Sequence, residues 1–564
     1  MFKTTQENFK VIQKFALYGG IVAFYLVAIG IVEVFSPRNL VGTFLSLGHV
    51  FLFLGPLGVG ILAARELKEK EVNSIYLAGF ITGLMSSVSL IIFNLIVEIF
   101  VVNANEDAVF YLRDMFVNFS ESGQGFLTFG LGMFAGNIVL ALVFGLVGVL
   151  GVSFIMLPDK LRRGWVNAWI WVLSIGLFSE NVAQIVQQFV PSLNRVLFTN
   201  KSLNPVAGIV FFIITFAAGY YGVKKKTSNR WQAMPPERQK KARVGITVFS
   251  VLFMIALPWM VGLFLSQALF MIGLFVMMGL GLNIVVGYAG LLDLGYVAFY
   301  AFGAYTMGIL TTTSELGRGG LNFWMAVPVA MLVGVLFGVM LGFPVLRMRG
   351  DYLAIVTLGF GEIIRILALS NWLSPIGGGA QGILHIPEPV FFGIVMKEPQ
   401  HMYYLVVLGA VLAAFVTIRL RSSRLGRQWM AMREDEDVAE AMGINLIQTK
   451  LLAFGMGAAF SAMSGAIFAA RLGNIFPHSF NLLISINALA LIIVGGLGSI
   501  PGVVVGALIL VGLPEMLREF AEYRLLMYGI LLIVMMLVKP EGFIPAAHIK
   551  REMHATDDPV EVEG

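Results

Sequence analysis

The 564-residue chain has no cysteine, which excludes disulfides and thiolate chemistry. Charge is scarce: 13% of residues are Asp, Glu, Lys or Arg, against about 25% in soluble domains. No Gly-Lys dipeptide occurs, so the chain has no G-x-x-x-x-G-K-[ST] loop with which to cradle a nucleotide. The six histidines stand outside any metal-ligand spacing, and no Ser, His and Asp arrangement suggests hydrolysis. These absences describe a chain that performs no bond chemistry and holds no cofactor of its own.

Apolar residues make up 58% of the sequence, above the roughly 45–50% of soluble domains. Many stretches exceed about 18 residues with one charge or none, the length needed to cross a hydrocarbon core. Alternating segments of about ten residues, the mark of a membrane β-barrel, are absent. The reading is an all-α, polytopic helical membrane protein with about 14 spans plus a broken or re-entrant segment. The first apolar run, from near Phe15 and preceded by Lys3, Lys10 and Lys14, lacks a small-residue cleavage site and reads as a retained span.

Residues 223–243 hold eight basic residues and the pair Pro235-Pro236, and read as a cytoplasmic linker. They divide an N-terminal membrane domain, 1–222, of unknown role, from a C-terminal domain, 244–545, followed by a polar tail, 546–564. Six spans are expected before the linker, near 15–35, 42–63, 75–101, 126–156, 165–189 and 205–222. Arg65, Lys68 and Lys70 occupy one loop, Lys160, Arg162 and Arg163 another, and the intervening loop 102–124 is acid-rich. Because basic loops mark the cytoplasmic side, N-terminus, linker and C-terminus are all placed inside the cell.

After the linker, spans are expected near 245–264, 267–288, 294–312, 323–345, 352–370, 402–419, 450–470 and 525–539. The apolar stretch 484–513 contains Gly495-Gly496-Leu497-Gly498-Ser499-Ile500-Pro501-Gly502 and predicts a break at membrane depth. Such breaks line pathways, because protein or water must satisfy the freed backbone groups. An echo supports this: Gly295 precedes Gly303-Ala304 by eight residues, and Gly498 precedes Gly506-Ala507 by eight. Asn283, Gly287, Gly290, Asp293, Gly295, Gly495, Gly496, Gly498 and Ser499 are the pathway candidates, with close packing of small residues as the plainer explanation. Asp293 also suits a helix cap. Glu362 and Arg365, three apart, can form an intramembrane ion pair of structural or gating use. Glu180 lies on a polar helix face.

The loop 420–449 is charged and helix-prone. Arg433, Glu434, Asp435, Glu436 and Asp437 open a segment in which Val438, Ala441 and Met442 form an apolar stripe, and Glu440-Ala441-Met442-Gly443 ends it. Acidic residues suit the start of a helix and Gly443 its end. Four acids within five positions would be repelled by anionic lipid, which favours a protein partner over a membrane surface.

Glu-Ala-x-Gly in such a loop resembles the coupling loop of ABC importer permeases. The stretches Leu280–Gly295, Leu346–Ile363 and Val494–Ser499 narrow the resemblance to the branched-chain amino acid ABC permease family, M-type membrane subunit, over about 250–545. The resemblance implies a permease subunit in the inner membrane, for branched-chain or other hydrophobic amino acids. It implies separate ATPase subunits that use ATP and magnesium and grip the loop, a second permease subunit and an extracytoplasmic binding protein. Where the family often has Thr-Gly-Gly-Pro-Asn-Gly-Ile, this chain has Gly377-Gly-Gly-Ala-Gln-Gly-Ile383, so urea or short amides stay open as cargo. A proton- or sodium-coupled secondary transporter using Glu180 is the alternative from another class.

Overall fold

The computed structural model describes residues 2–67, 72–98, 121–221, 235–314, 316–317, 320–345, 348, 350–516 and 524–546. Of the sequence features named above, Lys68, Lys70, most of the acidic loop, most of the basic linker, residues 346, 347 and 349 of the Leu346–Ile363 stretch, and all of the tail but residue 546 lie outside these residues. The chain forms two compact units, Met1–Arg243 and Val244–Gly564.

The protein is all-α apart from strands of two or three residues. Four of these, Leu45–Ser46, Asn39–Val41, Ser202–Leu203 and Phe198–Thr199, form a small sheet in that order in the first unit. Val390–Phe391 and Ile394–Val395 pair in the second.

The span count differs from the sequence expectation. Among the described residues ten helices are long and apolar enough to cross a membrane, or eleven with one bent pair, rather than about 14. The physical reason is that apolar stretches are not all straight crossings. The expected spans 245–264 and 267–288 belong to one helical run, Val244–Tyr288, interrupted by non-helical backbone at Gly262. The helices Pro205–Tyr221, Val297–Thr311 and Arg524–Val538 have 17, 15 and 15 residues. At 1.5 Å per residue, 15 residues rise only about 22 Å against a core of about 30 Å. The expected span 165–189 is the pair Asp159–Leu177 and Ser179–Phe189, bent by 77°.

The stretch 484–513 is not one tilted crossing. Leu482–Gly495 ends at Gly496 and Gly498, both with positive φ, and Ile500–Ala507 folds back against it. A Cβ on Gly506 would stand 2.0 Å from the Leu491 carbonyl oxygen, and one on Gly495 2.0 Å from that of Gly502. Glycine is required at both, because the two backbones touch.

In the second unit the core runs along Leu446–Leu472, the most buried long helix, against Val297–Thr311 and Phe323–Val345. Its small face (Ala458, Ala462, Gly465, Ala466) admits neighbouring backbones closely, as expected where association depends on packing rather than on water. Trp429, Tyr288, Tyr296 and Phe299 are the largest fully buried side chains near the features described next.

Candidate coupling and translocation site

The 420–449 loop is built from two helices rather than one. Arg424–Glu434 starts on Ser423, whose hydroxyl accepts from the Gly426 amide, and stops at Asp435. Asp435 has extended backbone and caps the next helix, Glu436–Ala441, its Oδ1 accepting from the amides of Asp437 (2.9 Å) and Val438 (3.0 Å). The sequence reading that started one helix at Arg433 is thereby corrected: Arg433 and Glu434 end the first helix. A short Asp side chain satisfies orphan amides better as a cap than it propagates a helix.

Glu436 and Asp437 fill the first turn, and Gly443, with positive φ, closes the second helix. The Gly443 amide donates to the Glu440 carbonyl and that of Ile444 to the Ala439 carbonyl. One side of this helix is anchored. Ala439 is buried, and the Glu436 carboxylate meets the Lys450 ammonium at 2.8 Å, the Lys450 side chain being only 3% exposed. Trp429 donates from Nε1 to the Thr449 carbonyl at 2.8 Å and locks the first helix to the same neighbour. The other side is open: Val438 is 58% and Met442 79% exposed, with Ala441, Glu440 and Glu434 exposed beside them. The predicted apolar stripe faces outward.

Arg433 turns inward. Its Nη1 donates to the Gly287 carbonyl at 2.8 Å, and Gly290, at positive φ, packs on its side chain. Gly287 belongs to a π-helical turn, Asn283–Tyr288, that ends the long helix. Such turns leave an extra residue per turn and concentrate at functional positions. Asn283, fully buried, accepts at Oδ1 from the Gly498 amide at 2.8 Å, while its Nδ2 has no partner among the described residues. A Cβ at position 287 would stand 2.2 Å from Asn283 Oδ1, so only glycine lets this bond form.

The two glycine-rich breaks predicted from the sequence therefore meet at Asn283 and Gly498. Around them, Asp293 is buried and accepts at Oδ1 from the Gly295 amide, so it orders the connection and does not cap the Val297–Thr311 helix. Gly295 lies against the Thr357 carbonyl, and the Thr357 hydroxyl accepts from the Leu294 amide. Ser499 caps Ile500–Ala507 by accepting from the Gly502 amide. The C-terminal stretch also joins the break: the amides of Phe543 and Ile544 donate to the carbonyls of Val494 and Gly495, at the end of Leu482–Gly495.

Glu362 and Arg365 pair on the helix Asp351–Leu369. Arg365 Nε lies 3.0 Å from both carboxylate oxygens, and Nη2 donates to Oε1. Glu180, by contrast, has basic partners distant in sequence, Arg38 at 3.0 Å and Lys201 at 3.2 Å. Its polar face is used in a surface-ward ion cluster of the first unit. Among the described residues no group of three acidic or His side chains is placed to hold a metal. Lys450, Trp429 and the 542–546 stretch were missed in the sequence. Only the apolar setting of Lys450, in Thr449-Lys450-Leu451-Leu452, hinted that it needs a partner.

A family model described as branched-chain amino acid transport system / permease component matches residues 264–538. The high-affinity branched-chain amino acid transport system permease protein LivM of Salmonella typhimurium is 42% identical over 331 residues, covering 53% of this chain and 76% of that protein. LivM of Escherichia coli is 41% identical over the same length and shares. The permease protein LivH of Salmonella typhimurium is 26% identical over 287 residues, covering 48% of this chain and 91% of LivH. No solved structure matches. With long motifs in order, two breaks brought together and relatives at this identity, the chain belongs to the family of branched-chain amino acid transport permeases, as a LivM-type subunit.

Proposed function

We propose that the second unit carries branched-chain or other apolar amino acids inward through the membrane, driven by ATPase subunits that grip the exposed face of the 436–441 helix. A second permease subunit completes the pathway and an extracytoplasmic binding protein delivers the cargo. Both termini and the 423–445 loop lie on the cytoplasmic side of the inner membrane. Transport is assigned to residues 244–545 and not to 1–222.

One continuous set of contacts carries this reading. The outward face of Val438, Ala441 and Met442 sits on a helix anchored through Glu436 and Lys450. The adjoining Arg433 holds the Gly287 carbonyl, and the π-turn of Gly287 presents Asn283 to the Gly498 amide. A push on the short helix thus reaches both breaks through two hydrogen bonds, Arg433 to Gly287 and Gly498 to Asn283. A nucleotide can bias the pathway only by binding its two states differently, and this contact set supplies the element to be biased.

The test is uptake of labelled leucine into proteoliposomes holding the purified complex, with and without ATP. Uptake that needs the ATPase subunits and ATP is the expected result. Uptake by this chain under a proton gradient alone overturns the reading in favour of a secondary transporter. ATP-driven uptake of urea but not of leucine would keep the permease and replace the cargo.

A further inference from the structure

We propose that Glu362, Arg365 and Tyr305 form a contact site for the zwitterionic head group of an amino acid in transit, with an apolar wall beside it for the side chain. The proposal rests on the permease reading above and adds to it the groups that touch the cargo.

Depth comes first. Glu362 lies eleven residues into the helix Asp351–Leu369. At 1.5 Å per residue that is about 16 Å, close to the middle of a core of about 30 Å. Ionised groups at that depth are costly and ordinarily face a partner or a water-filled cavity. Here the pair is not sealed into the core, since the Arg365 and Glu362 side chains are 25% and 43% exposed. A pair kept only for packing has no need of an accessible wall.

The wall has room. A cavity of about 110 Å³ is lined by Glu362 together with Leu294, Val297, Leu358, Phe480 and Leu482. This is several times the 10–15 Å³ that one water requires, enough for a branched aliphatic group. An adjoining space of about 10 Å³, room for about one oxygen atom, is lined by Arg365 and Tyr305, and shares Val297, Gly361 and Phe480 with the first. The Tyr305 hydroxyl is buried and has no hydrogen-bond partner among the described residues. A buried phenol without a partner is expensive, so a ligand oxygen there would remove a standing cost.

Chemistry then selects the ligand. A carboxylate, a guanidinium and an idle hydroxyl beside an aliphatic cavity match an α-amino acid with an apolar side chain. The ammonium group goes to Glu362 and the carboxylate goes to Arg365 and Tyr305 Oη. The internal pair is exchanged for two pairs with the zwitterion, and no net charge is moved into the membrane. An uncharged amide cannot make that exchange. Leucine-like cargo therefore fits this site and urea does not.

The experiment uses the assembled complex with saturating binding protein, in proteoliposomes, and measures ATP-driven uptake of labelled leucine. The double variant Glu362→Gln/Arg365→Gln removes both charges; Gln keeps the shape of Glu362, while at 365 it is shorter than arginine and leaves an amide able to hydrogen-bond. Uptake should fall at least tenfold, with unchanged co-purification of the ATPase subunits and an unchanged thermal midpoint. Tyr305→Phe should lower uptake about tenfold or more through loss of one charge-assisted hydrogen bond. Wild-type rates in the double variant remove the pair from the site, and wild-type rates in Tyr305→Phe remove the hydroxyl; both together overturn the proposal. If the double variant fails to assemble, Tyr305→Phe alone decides. Absence of ATP-driven leucine uptake in the unaltered complex would instead defeat the permease reading, a separate failure.

Discussion

Glu436→Gln is the sharpest probe of how the short 436–441 helix is held. Six residues cannot sustain a helix alone, because nucleation costs more than so few bonds return. Three anchors keep it in place: the Asp435 cap, buried Ala439 and the ion pair from Glu436 to Lys450 at 2.8 Å. Removing one partner of a buried pair costs about 3–5 kcal/mol, since the other charge stays desolvated. The low end, about 3 kcal/mol, applies here because the Glu436 side chain keeps 19% of its exposure. At 1.4 kcal/mol per factor of ten this is a change of about 100-fold in the closed-to-open ratio. Hydrogen exchange reads it directly at the amides of Ala439, Met442, Gly443 and Ile444, which are bonded within this helix and its closing turn. They should exchange about 100-fold faster, and uptake should fall with them. Glu436→Gln/Lys450→Met, which removes the stranded charge, should exchange more slowly than the single variant. Wild-type exchange in Glu436→Gln would refute the claim that the pair anchors this helix.

Other substitutions report on the remaining contacts. Gly287→Ala places a Cβ 2.2 Å from Asn283 Oδ1 and breaks the bond to Gly498, so uptake should drop at least tenfold while the protein still reaches the membrane. Trp429→Phe removes the bond to the Thr449 carbonyl at a cost of about 1–3 kcal/mol, read as a lower thermal midpoint of the purified chain. Glu180→Gln loses partly exposed pairs with Arg38 and Lys201. It should cost under about 1 kcal/mol and leave ATP-driven uptake intact, whereas a proton-coupled transporter using this acid would stop.

Local patterns carried far in the sequence. The apolar stretches, the pair at Glu362 and Arg365, the closing Gly443 and both glycine-rich breaks are set by neighbours within one turn or one motif, and all can be read residue by residue. What fails is whatever depends on chain paths. Arg433 meets Gly287 across 146 residues and Asn283 meets Gly498 across 215, and neither pairing leaves a periodic trace. Glu180 pairs with Arg38, 142 residues away in sequence, and no local pattern shows that pairing. Counting spans failed for a related reason. Hydropathy measures how apolar a stretch is, not whether it runs straight, and helices bent at Gly262 or at Phe178 do not convert into whole crossings. The division at Asp435 was legible in principle, since Asp followed by Glu-Asp is a cap signature.

The absence of cysteine gives the most direct test of where work enters. Met442→Cys would be the chain's only thiol, on a side chain 79% exposed at the tip of the 436–441 helix. Its rate of reaction with a membrane-impermeant maleimide, added from the cytoplasmic side, is measured with and without the ATPase subunits. The account predicts ready labelling of the chain alone and at least tenfold slower labelling in the complex. Equal rates in both, or labelling only from the outer side, would contradict it.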